Sequence, residues 1–552
     1  MRAPPNNFFS KKKKVVVTTV CVVGVWLLIS LGLTFLSAFC LYNAHLGCTQ
    51  STARTAQPAA ITLSWITLGT NHTVEVWKHS LSLLTIRPDL TALFSQHAAK
   101  TQENMQKALV AASGLLQHAP HSPFTRKYIP PDILLYLEEN GDGLAHLINQ
   151  LIPYLQGDHT LLILLQNADE LRATGGFLGS YALVNIQDGV ITDVTIEDVY
   201  DADGQFAGFV SPPYGVLEYL SSEDGLRLPD ANWYPEFPRS AQTILTYLSY
   251  ADHSEIDLVI GIHTKSIERL LTVLGPLYLP DYDTTLDAHT LTNALHDERG
   301  AFFPGSREKT QLLSHTATQL QQTVFTARPD IKRALALSLL EEVVNQEVLL
   351  YAVDPQLQQG FEDAMLSGGI GSAWCSDANS CTGSFFASIE SNVGINKANK
   401  QIERNFTFTA NDHTLTATIT YTNNNTAPTA EEVAHQTPTQ APHRAYVNYQ
   451  RVLFPPNWTL QSVTLNGEPV SNIYQQRVSL KAGEVNQVGF LIVIKEQESS
   501  TLQLTFTTNE VIPALMFFKQ PGVPAVTLRT PQKEYIITQS RLIPLSAAES
   551  VE

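Results

Sequence analysis

The stretch LLILLQNADELRATGGFLGSYALVNIQDGVITDVTI, Leu161 to Ile196, is an apolar run that breaks and then resumes. The break holds Asp169, Glu170, Arg172, Gly175 and Gly176. Arg172 is a permanent cation with a planar donor fork, a shape that matches carboxylate or phosphate. Asp169 and Glu170 are hard-oxygen groups that could hold a divalent cation. Gly175 and Gly176 reach backbone angles closed to other residues and let a ligand come near. The same residues would equally make a structural salt bridge at a strand end, with Arg172 tied to a neighbouring acid.

Two further clusters carry potential chemistry. VTIEDVYDADGQF places Glu197, Asp198, Asp201 and Asp203 close together in a glycine-containing segment, with Asp201 and Asp203 the candidate metal ligands. The pattern lacks a full calcium-loop ligand set, and a solvated acidic loop has the same text. In HDERGAFFPGSREKTQLL, Arg307 and Gln311 are four apart at a helix start and share one face. With the helix N-terminus they would receive an anion; a plain surface helix capped by Ser306 is the other reading. Several enzyme classes are excluded by their missing motifs: the chain has no phosphate-binding loop with a lysine, no HExxH and no GxSxG.

The elements that must position these residues follow from periodicity. TLLILLQ, GSYALVNIQ and VITDVTIEDVY alternate as strands, with QDG as a hairpin turn. FPRSAQTILTYLSYA, TKSIERLLTVLG, SREKTQLLSHTATQLQQTVFT and DIKRALALSLLEEVVNQ repeat as helices, and IDLVIGIH, GPLYLP and VLLYAV as strands. Strand and helix interleave over residues 158–394, which predicts an α/β or mixed α+β domain. Residues 400–530 change to short alternating strands, the text of a β-sandwich of immunoglobulin-like type, with 531–552 as a trailing tail. Upstream, residues 79–157 read as a neck of two amphipathic helices separated by IPPD, a spacer or a cap on the next domain, and residues 43–78 as a stalk.

The first fourteen residues are a basic tail with Arg2 and Lys11 to Lys14. Val15 to Tyr42 follows without a charge, long enough to span a bilayer with tilt. Lysines before it and none just after predict one transmembrane helix with the N-terminus cytoplasmic and the rest extracytoplasmic; a cleaved signal peptide is the rival. The formal net charge is -17 despite that basic start, and so acidic a body argues against a general nucleic-acid binder, whose phosphate contacts need many Lys and Arg. Cys375 and Cys381, in WCSDANSC, suit a disulfide closing a small loop in an exported protein.

The run through Leu161, DANWYPEFPRSAQ, IDLVIGIH with LLTVLGPLYLP, SREKTQLL and SNVGINKANKQIERN together resemble the bacterial membrane-anchored family called domain of unknown function 4012, over about Leu161 to Arg404. The order of strands is also distantly similar to the LytR-CpsA-Psr phosphotransferases of the cell envelope. That likeness implies transfer of a glycan from a polyprenyl diphosphate to a cell-wall polymer. Arg172 and Arg307 would hold the diphosphate, with Asp169, Glu170, Asp201 or Asp203 on Mg²⁺ or acting as base. SREKTQ departs from the arginine-rich helix of those enzymes at Thr310, and EDVYDAD stands where a Pro-Arg-Asp is expected. The alternative expectation is a non-catalytic envelope scaffold or adhesion protein that binds glycan or a protein partner.

Overall fold

The computed structural model describes residues 131–545, except 189, 221–224, 252, 254, 289, 291–310, 312–314, 317–318, 321–322, 325–326, 371–382, 412, 430–443 and 482. The segment expected to cross a membrane, the expected stalk and first neck helix, Arg307 and the expected Cys375–Cys381 disulfide lie outside the described residues. Among the described residues no helix is long and apolar enough to cross a membrane.

The chain is a mixed α/β protein. Its first unit opens with helix α1 (Pro131–Leu151). Strands β1 (Asp158–Asn167), β2 (Phe177–Gln187) and β3 (Val190–Asp198) then form an antiparallel meander. Helix α2 (Phe237–Ser249) leads to β4 (Leu258–His263), which pairs parallel with β1. Helix α3 (Thr264–Leu274) and a small hairpin, β5 (Leu277–Leu279) and β6 (Thr284–Leu286), follow. Helix α4 (Pro329–Val344), strand β7 (Val348–Ala352) and helix α5 (Pro355–Asp363) complete the unit. The sheet order is β3-β2-β1-β4-β7.

Side-chain alternation divides the sheet into two buried faces. Leu162 and Leu164 of β1 pack with Phe237, Ala241, Ile244 and Leu248 of α2. Leu161 and Ile163 point the other way, into a cluster with Ala182, Val184 and Ile260. The α1 side chains Ile133, Tyr136, Leu137 and Leu147 pack on Leu357 and Phe361 of α5. The second neck helix is therefore a cap on this unit and not a free spacer.

The second unit is two sheets around one core. Its strands are β8 (Phe385–Asn392), β9 (Ile402–Asn411), β10 (Thr414–Asn423), β11 (Tyr446–Phe454), β12 (Thr459–Leu465) and β13 (Glu468–Pro469). They continue with β14 (Tyr474–Leu480), β15 (Gly483–Ile494), β16 (Ser499–Thr507), β17 (Ala514–Phe518), β18 (Val526–Arg529), β19 (Glu534–Ile537) and β20 (Arg541–Pro544). One sheet runs β13-β12-β16-β10-β9-β18-β19, the other β14-β15-β11-β8-β17-β20. Phe386, Val452 and Phe490 of one sheet meet Phe408, Ala417 and Phe506 of the other. This unit starts earlier and ends later than 400–530. β8 is a central strand of it, and the expected tail supplies β19, which forms a hairpin with β18, and β20, which pairs with β17.

Candidate functional site

The corner between β1 and β2 is where the sequence concentrates charge, and the fold brings it against the second unit. Main-chain bonds shape it: the Glu170 N–H donates to the Asn167 carbonyl, Gly175 N–H to Arg172 and Phe177 N–H to Glu170. The fully buried Asn232 amide clips it, donating to Gln166 Oε1 (3.0 Å), Thr174 Oγ1 (3.1 Å) and the Gly176 carbonyl (2.7 Å). A Cβ at Gly175 would strike the His263 ring, and one at Gly176 the Asn167 main chain. These glycines admit close protein packing.

Arg172 is 1 % exposed. Its Nε donates to Asp230 Oδ1 (3.0 Å), its Nη2 to Glu170 Oε1 (3.1 Å) and its Nη1 to the Asn392 carbonyl at the end of β8 (2.8 Å). Burial opposes the charge, but Asp230 and Glu170 hold the guanidinium above its usual range. The Asn392 N–H returns a bond to the Leu171 carbonyl, and the Leu171 side chain enters the core of the second unit. Gln520, just after β17, donates to the Arg172 carbonyl (3.0 Å). Arg172 is thus a joint between the two units, with its donor fork facing protein.

The other candidate residues are also engaged. Asp169, buried, has Oδ1 3.4 Å from Lys265 Nζ. Glu268, one turn into α3, is raised by burial and by the neighbouring Asp169. The Asp203 carboxylate accepts from Arg227 Nε (2.9 Å) and Nη2 (2.7 Å) and from the Leu228 N–H (2.8 Å). Asp201 is exposed, while Asp203 is buried. Among the described residues no three His, Cys, Asp or Glu side chains come together as a metal site. The acids named for Mg²⁺ do not fit it as a set: Glu170 holds Arg172, Asp203 holds Arg227 and Asp169 faces a lysine. Gln311 is helical and exposed.

Parallel strands such as β1 and β4 usually leave a ligand crevice beyond their carboxyl ends. Here the turn after β17 fills it. Gly522, at φ 75°, backs onto Gly175 so closely that a Cβ would run into the Gly175 carbonyl. Lys519 Nζ pairs with Glu347 Oε1 (2.9 Å), and the Gly522 N–H donates to Glu347 Oε2 (3.1 Å). His263, the last residue of β4 and fully buried, has Nδ1 3.0 Å from the same oxygen. Burial raises the Glu347 carboxyl, yet Lys519 and His263 outweigh it and hold it well below the usual carboxylate range.

A third contact runs through Trp233. Arg451 of β11 lies over its ring at 4.9 Å, donates to its carbonyl (2.8 Å) and bonds Ser391 Oγ (2.9 Å). Glu236 accepts from the Ile370 N–H (3.0 Å) and from the Lys481 N–H at the end of β14 (3.3 Å). Burial pushes its carboxyl up to about 7, against the pull of those two N–H groups. Between pH ~4.5 and 7 the folded state therefore holds a proton that the unfolded chain has lost. Stability falls across that window by on the order of 3 kcal/mol from this group, and the deficit persists above it. Glu236→Gln is expected to flatten that fall, read from urea midpoints at pH 5 and pH 8.

The residues that organise this junction, Asp230, Asn232, Trp233, Glu236, His263 and Glu347, were not among the candidates named from sequence. The available signal was a run of polar groups in DANWYPEF, a segment otherwise aromatic and proline-rich.

Residues 156–299 match the family model described as protein of unknown function (DUF4012). No curated protein matches the chain. Among solved structures, the X-ray structure of the Lin1025 protein from Listeria innocua is similar at 8 % identity and a TM-score of 0.20. The match covers 38 % of this chain and 81 % of that one.

Proposed function

We propose that this chain, which carries a DUF4012 segment, is a non-catalytic scaffold of the bacterial cell envelope, anchored by one N-terminal helix with its bulk extracytoplasmic. On this reading the first unit keeps a LytR-CpsA-Psr-like arrangement as framework, and the second is an immunoglobulin-like module presenting surface to cell-wall glycan or to a protein partner. The observation that supports it most is Arg172. A diphosphate site needs an arginine fork aimed at open space, whereas this fork is enclosed by Glu170, Asp230 and the Asn392 carbonyl. The filled crevice at the carboxyl ends of β1 and β4 supports the same reading.

The test is binding of a polyprenyl diphosphate to the full chain in detergent micelles, with and without Mg²⁺, by isothermal calorimetry. The scaffold reading expects no Mg²⁺-dependent binding. Saturable, Mg²⁺-dependent binding would restore the phosphotransferase reading and require the corner to open.

A further inference from the structure

A row of unpaired backbone donors and acceptors at a sheet edge is a template for another strand, and folded proteins blunt such edges. Most edges here are blunted. β13 is two residues long and contains Pro469, β19 and β20 have four residues each, and β20 ends at Pro544. β3 carries a register shift and Asp193, Glu197 and Asp198. β7 is covered: its Leu350 N–H donates to the Leu366 carbonyl and its Ala352 N–H to Gln358 Oε1. β14, YQQRVSL, is different. It has seven residues, no proline and an unbroken register against β15, and among the described residues no strand pairs with its outer side.

We propose that the outer edge of β14 is a self-association surface, on which β14 of a second copy pairs antiparallel to join two six-stranded sheets into one. The edge is self-complementary in one register. Its single charge is Arg477, so a two-fold axis through Arg477 would set like charges face to face, which is unfavourable. An axis through Val478 would set Gln476 against a leucine. An axis through Gln476 places Arg477 opposite the partner's Gln475 and Val478 opposite the partner's Tyr474, an aromatic–β-branched pair made twice by symmetry. Val478 and Leu480 pack toward the core of the second unit, while Gln475, Arg477 and Ser479 are exposed. The inference is independent of what the protein binds.

Sedimentation velocity of the full chain in detergent is expected to show a concentration-dependent monomer–dimer equilibrium. Gln475→Lys sets two lysine–arginine pairs across the axis and weakens the dimer by about tenfold, while Gln475→Glu sets two opposite-charge pairs and tightens it. Gln475 is exposed, so at concentrations where the chain is monomeric neither change should alter the unfolding midpoint, which serves there as the folding control. A chain monomeric at every concentration overturns the proposal. So does a dimer indifferent to both substitutions, since its contact would lie elsewhere.

Discussion

Arg172→Met is expected to lower the stability of the folded chain by about 3–5 kcal/mol, the range for removing one partner of a buried ion pair. The side chain is close in length and apolar, so the loss is electrostatic more than volumetric. Glu170, buried, would lose its partner, and Asp230 would lose the Nε donor. The Asn392 carbonyl would lose its donor as well, which loosens the contact between β8 and the corner. Arg172→Lys should recover little, because one ammonium cannot meet three acceptors that lie on different sides of a planar fork. Denaturant unfolding of the three proteins at pH 7 is the measurement. If Arg172→Met unfolds at the wild-type midpoint, Arg172 is not a joint between the two units. A ligand site would predict that near-neutral result, since an arginine aimed at a ligand contributes little to stability without it.

Much of the first unit is legible from periodicity alone. The alternation in TLLILLQ and GSYALVNIQ and the helical repeat in FPRSAQTILTYLSYA locate β1, β2 and α2 close to their observed bounds. These patterns are local, because one face of each element meets one core. The role of the corner is not local. Arg172 is answered by Asp230, 58 residues on, and by the Asn392 carbonyl, 220 residues on. No spacing rule links such positions, so the residue types favoured a salt bridge over a ligand site but could not name Asp230 or the Asn392 carbonyl as partners. β8 escaped for a related reason. All eight of its residues are buried, so FFASIESN shows no alternation that would separate it from the α/β text before it. The short β19 and β20 have too few residues to show a period at all.

The same long-range logic makes Lys519 the second large effect. Lys519→Met should cost about 3–5 kcal/mol at pH 7, because Lys519 and Glu347 are both buried and the substitution takes away the carboxylate's lysine partner, leaving only His263 and the Gly522 N–H against it. The sign of its pH dependence is specific. In the wild type, Glu347 is held well below its unfolded value by Lys519 and His263. Its contribution is therefore complete above pH ~4.5 and is lost as pH falls further, toward the folded value. Without Lys519, burial favours the protonated carboxyl and moves Glu347 upward. Acid then relieves the variant while it weakens the wild type, so the gap between them should narrow steadily from pH 7 to pH 4. Urea unfolding of both proteins across that range reads the gap directly. A gap that stays constant with pH would mean that lost packing by the lysine stem, and not the charge on Glu347, holds the turn after β17 in the crevice beyond β1 and β4.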